Sequence, residues 1–160
     1  MANSPDLLKI RSIADYQLRK GAGEALFPKE VKVHLSPTTK RIRFVSLNNE
    51  LLATLKPTNS LFALTLAGAS RLLKKYKPPT FRVVINEDVE EVIGNGNNVF
   101  AKHVISADKE IRPLDEVIVV NSADKLVAVG RAILTGEEML AFKRGIAVII
   151  RRGVEEGNRE

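Results

Sequence analysis

Two adjacent prolines, Pro78-Pro79, stand near the middle of a 160-residue chain and constrain it more than any other feature. Proline cannot donate a backbone hydrogen bond, and Pro79 biases Pro78 towards an extended shape. Neither a helix nor a central strand is expected to run through the pair. The chain is therefore read as two units, residues 1–78 and 79–153, followed by a patternless stretch, 154–160, expected to be a mobile tail. Charge changes at the same place. Residues 1–78 hold 14 Lys/Arg against 5 Asp/Glu, a net +9, and residues 79–160 hold 11 against 14, a net −3. A basic field confined to one half is the footprint of a polyanionic partner, although surface lysine also serves solubility alone.

In the first half, Ser4-Pro5-Asp6 reads as a helix start, with Leu7, Ile10, Ala14 and Leu18 on one stripe before Gly21 closes the helix. From Val31 the period drops to two. Val31, Val33 and Leu35 alternate with Lys32 and His34. After the turn at Ser36–Thr39, Ile42 and Phe44 share a face while Arg41, Arg43 and Val45 take the other. A strand over 51–55, an apolar run at 61–64 and a helix over 66–75 ending on Lys74-Lys75 complete a small curved sheet flanked by helices. The second half is mostly short strands: 81–85, 116–120, a return strand 126–134 broken by Gly130, and 146–150. Asp88–Ile93 is a helical turn. Thr135-Gly136-Glu137-Glu138 is a capping box opening a helix that ends at Gly145. The fold class is α+β, with a barrel-like second unit. No internal repeat is evident.

The stretch Gly94-Asn95-Gly96-Asn97-Asn98 is turn chemistry, because Gly and Asn reach positive φ cheaply and can turn backbone amides outward. An alternating strand is expected to follow, with Val99, Ala101 and His103 opposite Phe100, Lys102 and Val104. Outward amides leading into Lys102 and His103 can receive a phosphate or a sugar edge. A helix-to-strand turn with no ligand explains the same residues. Further candidates for phosphate contact are Arg41 and Arg43, Lys74 and Lys75, Lys143 and Arg144, and Arg151 and Arg152. Aromatic residues make up only 5% of the chain, too few for a platform that stacks single strands. Backbone and shape recognition of a folded RNA fits better.

Other chemistries find no support. Gly94-Asn95-Gly96 and Gly21-Ala22-Gly23 lack the third glycine of the dinucleotide fingerprint, and no GK[ST] follows. There is no cysteine, and His34 and His103 fall in different units without neighbouring ligands, so neither metal nor cofactor is expected. Asp15, beside Tyr16, is the one acid in a setting that suggests catalysis, and a capping carboxylate is its plainer reading. No enzyme activity is expected. No apolar run approaches the ~20 residues that span a bilayer. Asp6 and Lys9 occupy the place of a signal peptide's apolar core, so a cytoplasmic location is expected.

Residues 80–152 resemble a PUA domain. The resemblance is carried by the glycine-rich turn into Asn98-Val99-Phe100-Ala101-Lys102, by Arg112-Pro113-Leu114-Asp115-Glu116-Val117, by Ala128-Val129-Gly130-Arg131-Ala132, and by the helix at 135–145. Ile13-Ala14-Asp15-Tyr16-Gln17, with Gly21-Ala22-Gly23-Glu24-Ala25-Leu26-Phe27, is similar to the unit preceding the PUA domain in archaeal tRNA-guanine transglycosylase and archaeosine synthase. The resemblance implies a PUA-like β pseudo-barrel, tRNA as partner, and an RNA surface formed by Gly94, Gly96, Asn98, Lys102 and His103 with Arg151 and Arg152. Two departures stand out. The large catalytic barrel of those enzymes, with its zinc ligands and catalytic aspartate, is absent from these residues. Lys102-His103 also replaces the Pro-Gly of many PUA domains. The expectation is an archaeal tRNA-binding protein, an accessory to a separate modification enzyme. A ribosome-associated, rRNA-binding factor is the first alternative, and an enzyme with a site near Asp15 and Tyr16 the second.

Overall fold

The computed structural model describes residues 4–156. It divides into two compact units, Met1–Lys75 and Tyr76–Glu160.

In the first unit, helices α1 (Ser4–Gln17) and α2 (Ala22–Leu26) precede strands β1 (Lys32–Leu35), β2 (Ile42–Leu47), β3 (Glu50–Leu55) and β4 (Phe62–Leu64), and α3 (Leu66–Lys75) follows. The strands pair antiparallel in sequence order. Ile10 and Ala14 of the expected stripe are fully buried, in a core that includes Phe27, Val31, Val45, Phe62 and Leu72. Gln17 fastens α1 to β4. Its amide donates to the Phe62 carbonyl at 2.8 Å and accepts from the Phe62 N–H at 2.6 Å, so the side chain stands in for a further strand.

The expected period of two fails in the first hairpin. His34 lies opposite Phe44 and Leu35 opposite Ile42, so Arg43 is the extra residue of a bulge. Ile42 and Val45 therefore point into the core together. Phe44 stacks on His34 with ring centroids 4.2 Å apart, and Leu35 is exposed.

The second unit contains β5 (Arg82–Ile85), a 3-10 turn (Glu87–Val89), α4 (Glu90–Gly94), β6 (Val99–Phe100), a second 3-10 turn (Ala101–His103), and β7 (Val104–Ala107). It continues with β8 (Glu116–Val120), β9 (Leu126–Ala132), α5 (Gly136–Ala141) and β10 (Ile146–Gly153). Six strands run in the order β6-β10-β9-β8-β5-β7. The two edge strands, β6 and β7, are consecutive in the chain and joined by the second 3-10 turn. The sheet is thus brought nearly round on itself, as the pseudo-barrel reading expects. Val83, Ile85, Val117, Val119, Val148 and Met139 fill it.

The Thr135 capping box forms as expected. The Thr135 hydroxyl accepts from the Glu138 N–H at 3.0 Å, and the Glu138 carboxylate accepts from the Thr135 N–H at 2.9 Å. Other expectations need correction. Helix α5 stops at Ala141, well before Gly145. Strand β9 ends at Ala132 and runs unbroken through Gly130. There a Cβ would lie 2.2 Å from the Ile149 carbonyl oxygen, so the glycine lets β10 approach. Residues 101–103 form a tight turn, because strand pairing of this segment stops at Phe100. Residues 154–156 of the expected mobile tail are held in place: Val154 N–H donates to Val127 O at 2.9 Å, and Glu155 N–H to Gly94 O at 2.8 Å. The rest of that tail lies outside the described residues.

Candidate nucleic-acid interface

The glycine–asparagine stretch is spent on structure. Gly96 has φ +99°, the turn conformation expected of it. The amides, however, face back onto α4. Asn95 N–H donates to Glu91 O at 3.1 Å, and Gly96 N–H to Ile93 O at 2.9 Å. The Asn95 and Asn97 side chains cap the same helix end, each donating at 2.8 Å to Glu91 O and Val92 O respectively. Asn98 accepts from the Ile150 N–H at 2.9 Å and so fixes the loop to β10. The glycine face is closed by acids. A Cβ on Gly96 would lie 2.6 Å from a Glu156 carboxylate oxygen, and one on Gly94 3.2 Å from Glu155 Cγ. A phosphate does not approach carboxylates readily. The expectation of outward amides is therefore corrected at Asn95, Gly96 and Asn97, whose N–H groups turn back onto α4.

What the loop presents lies beyond it. Phe100 is 42% exposed. Lys102 is exposed and His103 half-buried. The Ala101 N–H donates to Gly145 O at 2.9 Å, which ties this turn to the one carrying Lys143 and Arg144. Both of those side chains are exposed. The structure thus brings Lys102, His103, Lys143 and Arg144 to one end of the β6–β10 pair, a grouping the sequence did not reveal.

Arg151 and Arg152 sit elsewhere. Arg151 lies five residues beyond Ile146 on β10, about 17 Å along an extended strand. It is the extra residue of a bulge, since Ile150 faces Gly130 while Arg152 faces Val129. The bulge turns Arg151 onto Glu116, whose side chain is 1% exposed, in a two-pronged ion pair with its shorter contact at 2.5 Å. Arg152 remains exposed.

His103 is placed edge-on to Phe100, with ring centroids 5.8 Å apart. Its buried Nδ1 has no hydrogen-bond partner. Desolvation, and secondarily the charge of Lys102, pull its pKa below the usual 6.5. The folded state thus disfavours the imidazolium. Below about pH 6.5 the unfolded chain binds the proton more readily, so this residue's contribution to stability is constant above that pH and declines as the pH falls towards the folded pKa. Thermal melts at pH 7.5 and 5.5 are expected to differ more for the parent than for His103→Gln. Any gain in anion affinity from His103 charge is expected only below pH 6.5.

In the first unit, Arg41 and Arg43 flank buried Ile42 and line a concavity of about 720 Å³ together with Lys9 and Lys56. Neither lysine was singled out from sequence. Lys74 and Lys75 are exposed at the end of α3, apart from this concavity. The second unit holds a pair that the sequence also hid: Arg82, 1% exposed, donates to Asp124 at 2.8 and 3.1 Å and to Thr80 O at 2.9 Å. Asp15 accepts from the Gly23 N–H at 2.7 Å. Gly21, the residue at the N-cap of α2, has no side chain to do this. Tyr16 is 87% exposed. The carboxylate is thus a cap lent from α1 to α2. Among the described residues no group of three or more His, Cys, Asp or Glu is gathered as metal ligands, and no helix is long and apolar enough to cross a membrane.

Residues 8–79 match the patch-forming domain C2 of tRNA-guanine transglycosylase, and residues 81–154 match the PUA domain. The chain is a C2–PUA pair. Similar curated proteins are the tRNA-guanine(15) transglycosylases of Pyrococcus furiosus and Methanothermobacter thermautotrophicus. The first is 45% identical over 150 residues and the second 42% over 148, covering 94% and 92% of this chain. The C2–PUA pair spans about a quarter of the length of these relatives, 25% and 23%. Two solved structures share its fold. A hypothetical protein of Pyrococcus horikoshii has a TM-score of 0.74 at 21% identity, covering 95% of this chain and 92% of that one. A PUA domain protein of Thermoplasma acidophilum has a TM-score of 0.64 at 22% identity, covering 92% and 89%.

Proposed function

We propose that the C2–PUA pair binds tRNA, through the end of the β6–β10 pair where Lys102, His103, Lys143 and Arg144 converge beside exposed Phe100. The observation that carries this reading is the convergence itself, in a domain of the PUA family. Lys102, Lys143 and Arg144, with His103 among them, form a cationic surface on a unit whose net charge is negative. The tRNA assignment rests on relatives named for action on tRNA, which are more than 40% identical over nearly all of this chain. The surface holds donors and one aromatic edge. The role we infer is recognition in support of a separate modification enzyme.

The test is a tRNA titration beside a thermal melt. Lys102→Ala is expected to weaken tRNA binding about fivefold or more, the loss of one charge-assisted contact of roughly 1 kcal/mol. Its melt should stay within about 0.5 kcal/mol of the parent, because an exposed lysine contributes little to folding. Parent-like affinity in this variant would remove Lys102 from the interface. Sequencing the RNA crosslinked to the purified protein separates tRNA from rRNA, and rRNA as the main product would favour the ribosome-associated alternative.

A further inference from the structure

A second cationic site lies at the end of the first unit's sheet, framed by two turns of one build. Leu35-Ser36-Pro37-Thr38-Thr39-Lys40 joins β1 to β2, and Leu55-Lys56-Pro57-Thr58-Asn59-Ser60 joins β3 to β4. In the first, Ser36 N–H donates to Arg41 O at 2.7 Å and Ser36 O accepts from Lys40 N–H at 2.9 Å. In the second, Lys56 N–H donates to Leu61 O at 2.8 Å and Lys56 O accepts from Ser60 N–H at 2.9 Å. Lys40 and Ser60 hold the matching left-handed positions, φ 61° and 57°. A short Leu-x-Pro-Thr turn is thus used twice. Because the four strands pair antiparallel in sequence order, both turns fall at the same end of the sheet.

The concavity of about 720 Å³ lies among these turns and α1, within the ~300–1,000 Å³ usual for ligand sites. Lys9, Arg41, Arg43 and Lys56 line it, and no lining residue is acidic. None of the four is ion-paired with any described residue. Like charges gathered in a concave site focus a positive potential that favours an anion. The charges come from a helix, a strand with its turn, and a second turn, a spread suited to successive phosphates. Hydroxyls of Ser36, Thr39 and Thr54 add donors beside them. Phe44 has one ring face already covered by His34, which argues against base stacking and for backbone contact.

We propose that this concavity grips the sugar–phosphate backbone of the bound RNA, at a site separate from the surface around Lys102. The proposal rests on the RNA-binding reading above. The test is the salt dependence of tRNA affinity for the full chain. Each phosphate contact contributes about 0.7–0.9 to the logarithmic slope, so Arg41→Gln/Arg43→Gln should make it shallower by about 1.4–1.8. Lys9→Gln/Lys56→Gln should do the same from different elements. Lys109→Gln/Lys125→Gln removes equal charge from exposed positions in the second unit and should change the slope little. Unchanged slopes in both concavity variants overturn the site, and so does an equal change in the control. A parent protein that does not bind tRNA overturns instead the reading on which the site rests.

Discussion

Arg151→Ala is expected to destabilise the second unit by about 3 kcal/mol in the absence of any RNA. The reason is Glu116. Every residue of β8 is buried, and Glu116 is the one charge among them. Its carboxylate is 1% exposed and receives both prongs of the Arg151 guanidinium. Removing one partner of a buried pair costs roughly 3–5 kcal/mol, because the remaining charge stays desolvated. The lower end applies, since Arg151 is 36% exposed and water can partly replace it. Arg152→Ala, one residue on and pointing to solvent, should melt within about 0.5 kcal/mol of the parent. Urea denaturation of both variants, with Glu116→Gln and the Glu116→Gln/Arg151→Ala double variant to close the cycle, measures the pair directly. A parent-like midpoint for Arg151→Ala would show the ion pair to be dispensable. A deficit in RNA binding by this variant must therefore be read against its melt before Arg151 is assigned to the interface.

The second large effect is expected at Gly153. A Cβ there would sit 2.1 Å from the Gly94 carbonyl oxygen, 2.5 Å from its carbon and 2.9 Å from Ile93 O. All three obstacles are backbone, and Gly94 O is held by the Glu155 N–H at 2.8 Å, so nothing moves aside cheaply. Overpacking of this kind costs about 1–3 kcal/mol, and fixed backbone places Gly153→Ala at the upper end. For a unit of this size the melting temperature should fall by roughly 12–24 °C. Gly145→Ala is the internal comparison. Its Cβ would meet nothing within 4 Å, and the cost comes only from φ +96°. That strain is roughly 1–2 kcal/mol, so Gly145→Ala should lie between the parent and Gly153→Ala. If Gly153→Ala melts no lower than Gly145→Ala, the close approach of β10 to α4 is not fixed as described.

The sequence was legible wherever a local rule decided the outcome. The Thr135 capping box, the buried Ile10–Ala14 stripe and the positive φ of Gly96 all follow from neighbouring residues. It was misleading where a partner from far along the chain decided. The bulge at Arg43 is set by pairing with β1, and it moved Phe44 out of the core and Val45 into it. The bulge at Arg151 directs an arginine that reads as a free phosphate ligand onto Glu116, 35 residues earlier. The candidate site shows the same division. Lys102 and His103 stood out as a charged pair after a turn, but their association with Lys143 and Arg144 depends on β6 pairing with β10. The asparagines that look poised for a ligand are consumed by the carbonyls of α4, because a short helix ending beside a tight turn needs acceptors satisfied. Lys9 and Lys56 gave no signal alone, and only the packing of α1 beside two Pro-Thr turns gathers them with Arg41 and Arg43.

The strand order carries a consequence for how the chain emerges during synthesis. In the first unit each strand pairs with its immediate predecessor, so the sheet is complete once β4 has been made. The second unit works differently. Strand β5 can pair with β7 but completes its pairing only with β8, with Arg82 opposite Ile118, and β6 waits for β10, with Val99 opposite Val148. A nascent chain can therefore finish its first unit early, yet must hold one edge of the second open until its last strand is released. Such distant pairings close slowly, and unpaired edges invite association in the interval. The acid-rich turn at 154–156, which lies against the Gly94–Gly96 loop, follows that strand.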